Sequence, residues 1–190
     1  MKIYFRDQRL RFKFFLDCLE EKKIMPYDKK QLRERVSAIE LIVSRGIENL
    51  NTNFLFDYNI FPKNIMSFKS QWQDENREMR KGDNIVQQIY IPPTKKLSQK
   101  IITGVRISGL INQPLKKGFS YETLEGHVEK GISTFTIEQI SENKLIFKIH
   151  TYSKPATLLT KLLDPIFSSP YQAFCTKAAL KNVKRQIEAQ

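Results

Sequence analysis

Only two cysteines, two histidines, one tryptophan and seven glycines occur in the 190 residues, and each scarcity removes a class of chemistry. Cys18 and Cys175 form neither a CxxC nor a repeated spacing, which excludes a disulfide-stapled scaffold and fits a reducing compartment. With His127 and His150 alone, no HxxxH or HExxH pairing exists. The one combination left for a metal, His127, Glu129 and His150, lacks ligand spacing, so no metal is expected. The glycines compose neither a P-loop nor a GxGxxG turn, so no cofactor is expected either. Ser120 and Ser153 have no GxSxG context, and neither cysteine has a histidine nearby in sequence. No apolar run approaches the 18 residues of a membrane span. The opening MKIYFRDQRLRFK is charged every few residues, without the apolar stretch of a signal peptide, and the expected location is the cytoplasm.

What is present in excess is positive charge. The formal net charge is +12, concentrated towards the ends, with eleven Lys and Arg against six Asp and Glu in residues 1–35 and six against two in 154–190. Such a surface attracts polyanions non-specifically, whether nucleic acid or an anionic membrane, and it also simply keeps a protein solvated. No motif for a specific nucleic-acid complex is present. The length suits one domain with a substantial core.

Periodicity divides the chain. Residues 8–24 place Leu10, Phe14, Phe15, Cys18 and Leu19 on one helical face. Asp28 and Gln31 form a capping-box pattern, and Leu32, Val36, Ile39, Val43 and Leu50 follow at heptad-like spacing, predicting a second helix that would pack on the core and could seat a homodimer. Residues 64–73 fit either period, with Met66, Phe68 and Trp72 favouring a strand; Trp72 is read as core or as the lining of a cavity. From residue 83 the period is two. Val105, Ile107 and Ile111 share one face of KIITGVRISGLI with Arg106 on the other, and Leu145, Phe147 and Ile149 alternate against Lys148, His150 and Tyr152. The short links predict an antiparallel meander. The last segment, from about Ala156, returns to helical spacing through Leu158, Leu159, Leu162, Leu163, Phe167, Phe174, Ala178 and Val183, with Pro165 and Pro170 inside it. This order predicts an α+β fold, residues 1–60 as an N-terminal helical segment and 61–190 as a sheet wrapped on the final helix, together one compact unit.

The stretch GFSYETLEGHVEKG at 118–131, with Phe135 after it, resembles the signature GFAYGTLPGHPERGEERF of a bacterial and plant family. SKPA at 153–156 is similar to that family's SRPA, and Pro165, Gln172 and the VRI of 105–107 fall in matching places. Glu122 replaces a glycine of the signature, and Ile132-Ser133 replaces its Glu-Glu, which removes those acidic groups from any chemistry here. The resemblance implies the START-like (SRPBCC) helix-grip superfamily: an antiparallel sheet curved over a long C-terminal helix, with the gap between them holding lipids, polyketides or other apolar molecules.

Three functions follow from these observations. A binding module would hold a small apolar or lipid-like ligand in a cavity lined by Val105, Ile107, Phe135, Ile137 and Phe147, with Trp72, Arg106, Tyr121, His127 and Glu129 completing the site. A cyclase- or hydratase-type enzyme would use Tyr121, His127, Glu129 and Arg106, a neutral imidazole oriented by a carboxylate serving as general base. A non-specific polyanion binder would rest on charge alone. His127 and Glu129 also suit a purely structural corner, in which Gly126 takes a positive φ and the polar side chains bond backbone groups. Of the three, the binding module is favoured, since it needs an apolar cavity, a gate and little else.

Overall fold

Why the chain folds into one sheet follows from its alternating apolar residues and short turns. The structure, a computed structural model, describes residues 2–94, 98–156 and 169–190. Within them, β1 (Lys2–Tyr4), β2 (Arg33–Ile42), β3 (Met66–Ser70), β4 (Asn84–Ile91), β5 (Gln99–Gln113), β6 (Lys116–Thr123), β7 (Glu129–Ser141) and β8 (Lys144–Pro155) pair antiparallel in the order β2-β8-β7-β6-β5-β4-β3. β1 pairs with β5 over Lys100–Ile102, residues beyond the reach of β6. A C-terminal helix, described over Ser169–Glu188, lies across one face. Ala179, Val183 and Ile187 are buried there with Phe135, Ile137, Leu145 and Phe147 of the sheet. The fold is thus α+β, with a large sheet gripping a terminal helix.

Residues 33–42, expected to be helical, are strand β2, running along β8 from Arg33↔Ser153 to Ile42↔Lys144. The reason lies in which positions face inward. Ile39 and Leu41 pack on the main core, while Arg35 and Ser37 on the same side line a cavity. Val36 and Ile42 face outward, 56% and 74% exposed. Polar residues inside and apolar ones outside disguise a period of two, so the stripe Leu32, Val36, Ile39, Val43, Leu50 is no helix face and a helical dimer seam on it has no basis. Asp28 does cap, accepting from the Lys30 N–H at 3.0 Å, but only for the 3-10 turn Lys29–Gln31.

The N-terminal helix is shorter than its pattern, Phe12–Asp17. Phe12, Phe15, Leu16 and Leu19 pack with Val86, Ile102 and Leu124 in a second core on the convex face of the sheet. That i, i+3, i+4, i+7 stripe leaves Leu10 fully exposed, Phe14 54% exposed and Cys18 exposed, against the expected face. Both readings of 64–73 hold in part: Met66–Ser70 is a strand, and Gln71–Asp74 is a helical turn with Trp72 buried in it. A register shift between Ile107 and Gly109 separates Ile111 from Val105 and Ile107: it places Leu110, not Ile111, opposite the buried Phe119.

The part of the expected final helix containing Leu158, Leu159, Leu162, Leu163, Pro165 and Phe167 lies outside the described residues. Within the described helix, Val183 is buried as expected, whereas Phe174 is 48% exposed. It stands five residues before Ala179, about 140° round the helix from the buried stripe.

Candidate functional site

The concave face of the sheet and the C-terminal helix enclose a cavity of about 1390 Å³. Its walls follow from strand register, because residues paired across an antiparallel ladder point to the same side. Arg35↔Thr151, Thr151↔Ser133 and Ser133↔Tyr121 are such pairs, and all four side chains line the cavity. They make one polar row across β2, β8, β7 and β6. The next row towards the core is apolar where Ile149 pairs with Phe135. On the other flank, Arg33 and Gly131 both pair with Ser153, and Thr123 lies beside Gly131.

The corner that follows Thr123 fixes the mouth of these rows. The His127 N–H donates to the Leu124 carbonyl at 3.0 Å, closing a β-turn whose third residue, Gly126, has φ 86°, as a type II turn requires. The Gly131 N–H then donates to Thr123 Oγ1 at 3.0 Å. His127 Nδ1 sits 2.8 Å from the Glu129 carbonyl and 3.0 Å from its amide nitrogen. The half-buried ring is therefore held by backbone, not by a carboxylate. Burial lowers its pKa to about 4, with the Glu129 backbone bond opposing and the Lys22 charge adding. It is neutral at neutral pH.

The Glu129 carboxylate is buried and turned elsewhere. Gln172 of the C-terminal helix donates its amide to Glu129, and its carbonyl accepts from Arg35. This relay joins β2, the helix and β7, and it sets a carboxylate near the Arg35 cation. Gln172→Leu removes the amide donor of a buried carboxylate, and we expect a loss of about 1–3 kcal/mol in urea denaturation.

At the far end, Tyr58 is fully buried against Phe61, Phe68, Phe119 and Tyr121. Its hydroxyl accepts from Gln87 Nε2 at 2.7 Å, and Gln87 Oε1 accepts from Thr103 at 3.2 Å. Burial raises the pKa of both Tyr58 and Tyr121, so each keeps its proton. Cys175 on the helix also faces the cavity, and burial pushes its thiol up to about 11, which makes it inert lining rather than a nucleophile.

Of the residues expected at a site, Tyr121, His127, Glu129 and Phe135 do line this cavity. Val105, Ile107, Ile137, Phe147 and Trp72 are instead buried in the main core. Arg106 belongs to the other face: its guanidinium donates to Asn84 Oδ1 and to the Leu19 carbonyl, both at 2.8 Å, tying down the N-terminal segment. His150 is on the outer surface with Glu34, at 2.7 Å. Sequence reasoning did not pick out Arg35, Tyr58, Gln87 or Thr151. The signal for Arg35 and Thr151 was the ladder register, which needs the strand pairing to be known.

Residues 50–182 match the family described as a domain of unknown function, DUF1990. No curated protein matches the chain. Among solved structures, the hypothetical protein jhp0584 from Helicobacter pylori is similar at TM-score 0.56 and 10% identity, over 86% of this chain and 95% of that one. The human StarD13 (DLC2) lipid transfer and protein localization domain is similar at TM-score 0.52 and 9% identity, over 96% of each chain. At such identities the likeness is one of fold, and the fold is START-like helix-grip. Among the described residues, no helix is long and apolar enough to cross a membrane.

Proposed function

The chain belongs to the DUF1990 family, and from that premise we propose that it is a binding module for a small hydrophobic molecule held between sheet and C-terminal helix. The observation that carries this is the cavity, about 1390 Å³ in volume, above the roughly 300–1,000 Å³ of ordinary ligand pockets. Phe61, Ile65, Met66, Ile89, Phe135 and Ile149 supply apolar lining. The StarD13 neighbour is named as a lipid transfer domain, which supports the same reading at the level of fold. Its two free thiols suit a reducing compartment, and we place the protein in the cytoplasm.

The test is native mass spectrometry of the purified protein, with solvent extraction of whatever it carries, beside titration with the fluorescent probe 1-anilinonaphthalene-8-sulfonate. We expect a co-purifying small molecule, or saturable one-to-one probe binding that the extract displaces. Absence of both a co-purifying mass and saturable probe binding would defeat the proposal. The acid–base alternative needs an imidazole oriented by a carboxylate, with Arg106 close by. The observed His127 is held by backbone, and Arg106 is on the convex side. Accordingly His127→Ala should change probe affinity by less than about threefold, one modest hydrogen bond being lost outside the apolar lining.

The +12 charge is a separate matter. Weak binding to DNA or to anionic vesicles at low salt should fall steeply as salt rises, as counterion release demands. Filter binding from 20 to 200 mM salt reads this directly.

A further inference from the structure

One wall of the otherwise apolar cavity carries a polar row. Four cavity-lining polar side chains, Arg35, Thr151, Ser133 and Tyr121, stand in register on four neighbouring strands. Strands lie about 4.8 Å apart, so the row is about 14 Å long. Ser133 Oγ and Thr151 Oγ1 are 3.1 Å apart and bond each other, and the Tyr121 hydroxyl bonds Ser133 and Tyr58, so the row is a connected chain of hydroxyls that retains spare lone pairs for a ligand's donors. The row ends at two phenols. Because Tyr58 accepts from Gln87, and Gln87 is itself anchored by Thr103, the Tyr58 proton is directed away from that chain, towards Tyr121 and the cavity. Two residues further along the strands the surface becomes Phe135 and Ile149, and Phe135 lies 5.4 Å from the Tyr121 ring, centroid to centroid.

A flexible alkyl chain laid on this row would cover its spare hydrogen-bonding capacity without using any of it, which disfavours methylenes there. Arg35, the one cation of the row, already donates to the Gln172 carbonyl, and Gln172 in turn donates to the Glu129 carboxylate, a carboxylate that disfavours a second anion beside it. We propose that the ligand is a rigid, ring-bearing amphiphile with several neutral oxygens along one edge, which lie on the row from Arg35 to Tyr121, while its other edge packs on Phe135 and Ile149. This rests on the reading that the cavity holds a small molecule and specifies which kind.

The experiment compares two probes of one ring skeleton, quercetin with five hydroxyls and flavone with none, together with oleate, each by displacement of 1-anilinonaphthalene-8-sulfonate. Quercetin should bind at least about tenfold more tightly than flavone, the worth of one or two net hydrogen bonds. The double variant Ser133→Ala, Thr151→Val removes both partners of their mutual hydrogen bond, so neither is left unpaired by loss of the other. In it the quercetin-to-flavone ratio should drop below about threefold, while the fluorophore still binds saturably and the protein still melts cooperatively. Equal affinity of quercetin and flavone in the wild type overturns the proposal while leaving the binding module intact, as does oleate binding more tightly than quercetin. A ratio that survives in the double variant overturns the assignment to this row. Failure of every probe, including the fluorophore, overturns both readings together.

Discussion

Gly131→Ala should lower stability by about 3 kcal/mol or more, read as a fall in the urea midpoint. Gly131 has φ 146° and pairs with Ser153 of β8. A Cβ built there meets the Tyr152 carbonyl oxygen at 1.9 Å and the Ser153 Cα at 2.9 Å. Both are backbone atoms, so relief requires the two strands to part or the Gly131 backbone to turn. Turning it breaks the Thr123 bond to the Gly131 amide, which fastens the corner to the sheet. Strain at an unfavourable φ costs about 1–3 kcal/mol and overpacking typically 1–3 kcal/mol more. Gly82→Ala separates the two terms, since Gly82 has φ 98° with nothing within 4 Å of a built Cβ. It should cost only about 1 kcal/mol. If both variants lose the same amount, the close approach to β8 is not what selects glycine at 131.

How much of this was legible beforehand depends on where each residue's partner lies. The meander from β4 to β8 was readable because inward positions there are apolar, as in Leu145, Phe147 and Ile149, all buried. β2 was not readable, and for a structural reason: its inward positions include Arg35 and Ser37, which face the cavity rather than the core. A cavity-facing strand loses the contrast that period-two reading relies on. The N-terminal helix failed differently. Its pattern was real, but two apolar stripes were available, and the convex face of the sheet selected the one through Phe12 and Leu16. Nothing local distinguishes them.

The site shows the same division. The glycine-bounded corner announced itself, and Gly126 takes the positive φ expected of it. The two acid–base candidates within it proved to have separate partners: His127 is held by backbone, and the Glu129 carboxylate by a helix residue 43 positions away. Two residues apart on an extended chain they share a side, yet sharing a side did not make them a pair. Tyr58 was invisible because it lies in the turn after the short helix Asn53–Phe56 and meets the cavity only by packing against Tyr121. Long-range partners of this kind, more than local pattern, determine what the cavity offers a ligand.

The chemistry of His127 gives the remaining large effect, and it separates a structural imidazole from a catalytic one. In the fold its pKa is held at about 4, burial being the main cause, whereas an unfolded chain leaves it near ~6.5. Above pH 6.5 both states carry a neutral ring, and the group adds nothing to the pH dependence. Between 6.5 and 4 the unfolded state binds the proton first, so stability falls with pH. Below 4 the loss levels off, at about 3 kcal/mol at most for a ring that keeps some solvent contact. Glu138 acts in a lower window. Its burial alone would raise its pKa, but bonds from Lys148, Thr136 and Lys116 outweigh that and hold it at about 2, so its contribution is present above 4.5 and disappears as pH falls towards 2. Urea midpoints at pH 7, 5.5 and 4.5 should therefore fall for the wild type while the carboxylate is still ionised. His127→Gln keeps an acceptor for the Glu129 amide but cannot titrate, so its slope over the same interval should be shallower by most of that amount. Equal slopes in the two proteins would mean that the folded imidazole protonates near its ordinary pKa, leaving it free to exchange protons in the cavity as a general base must.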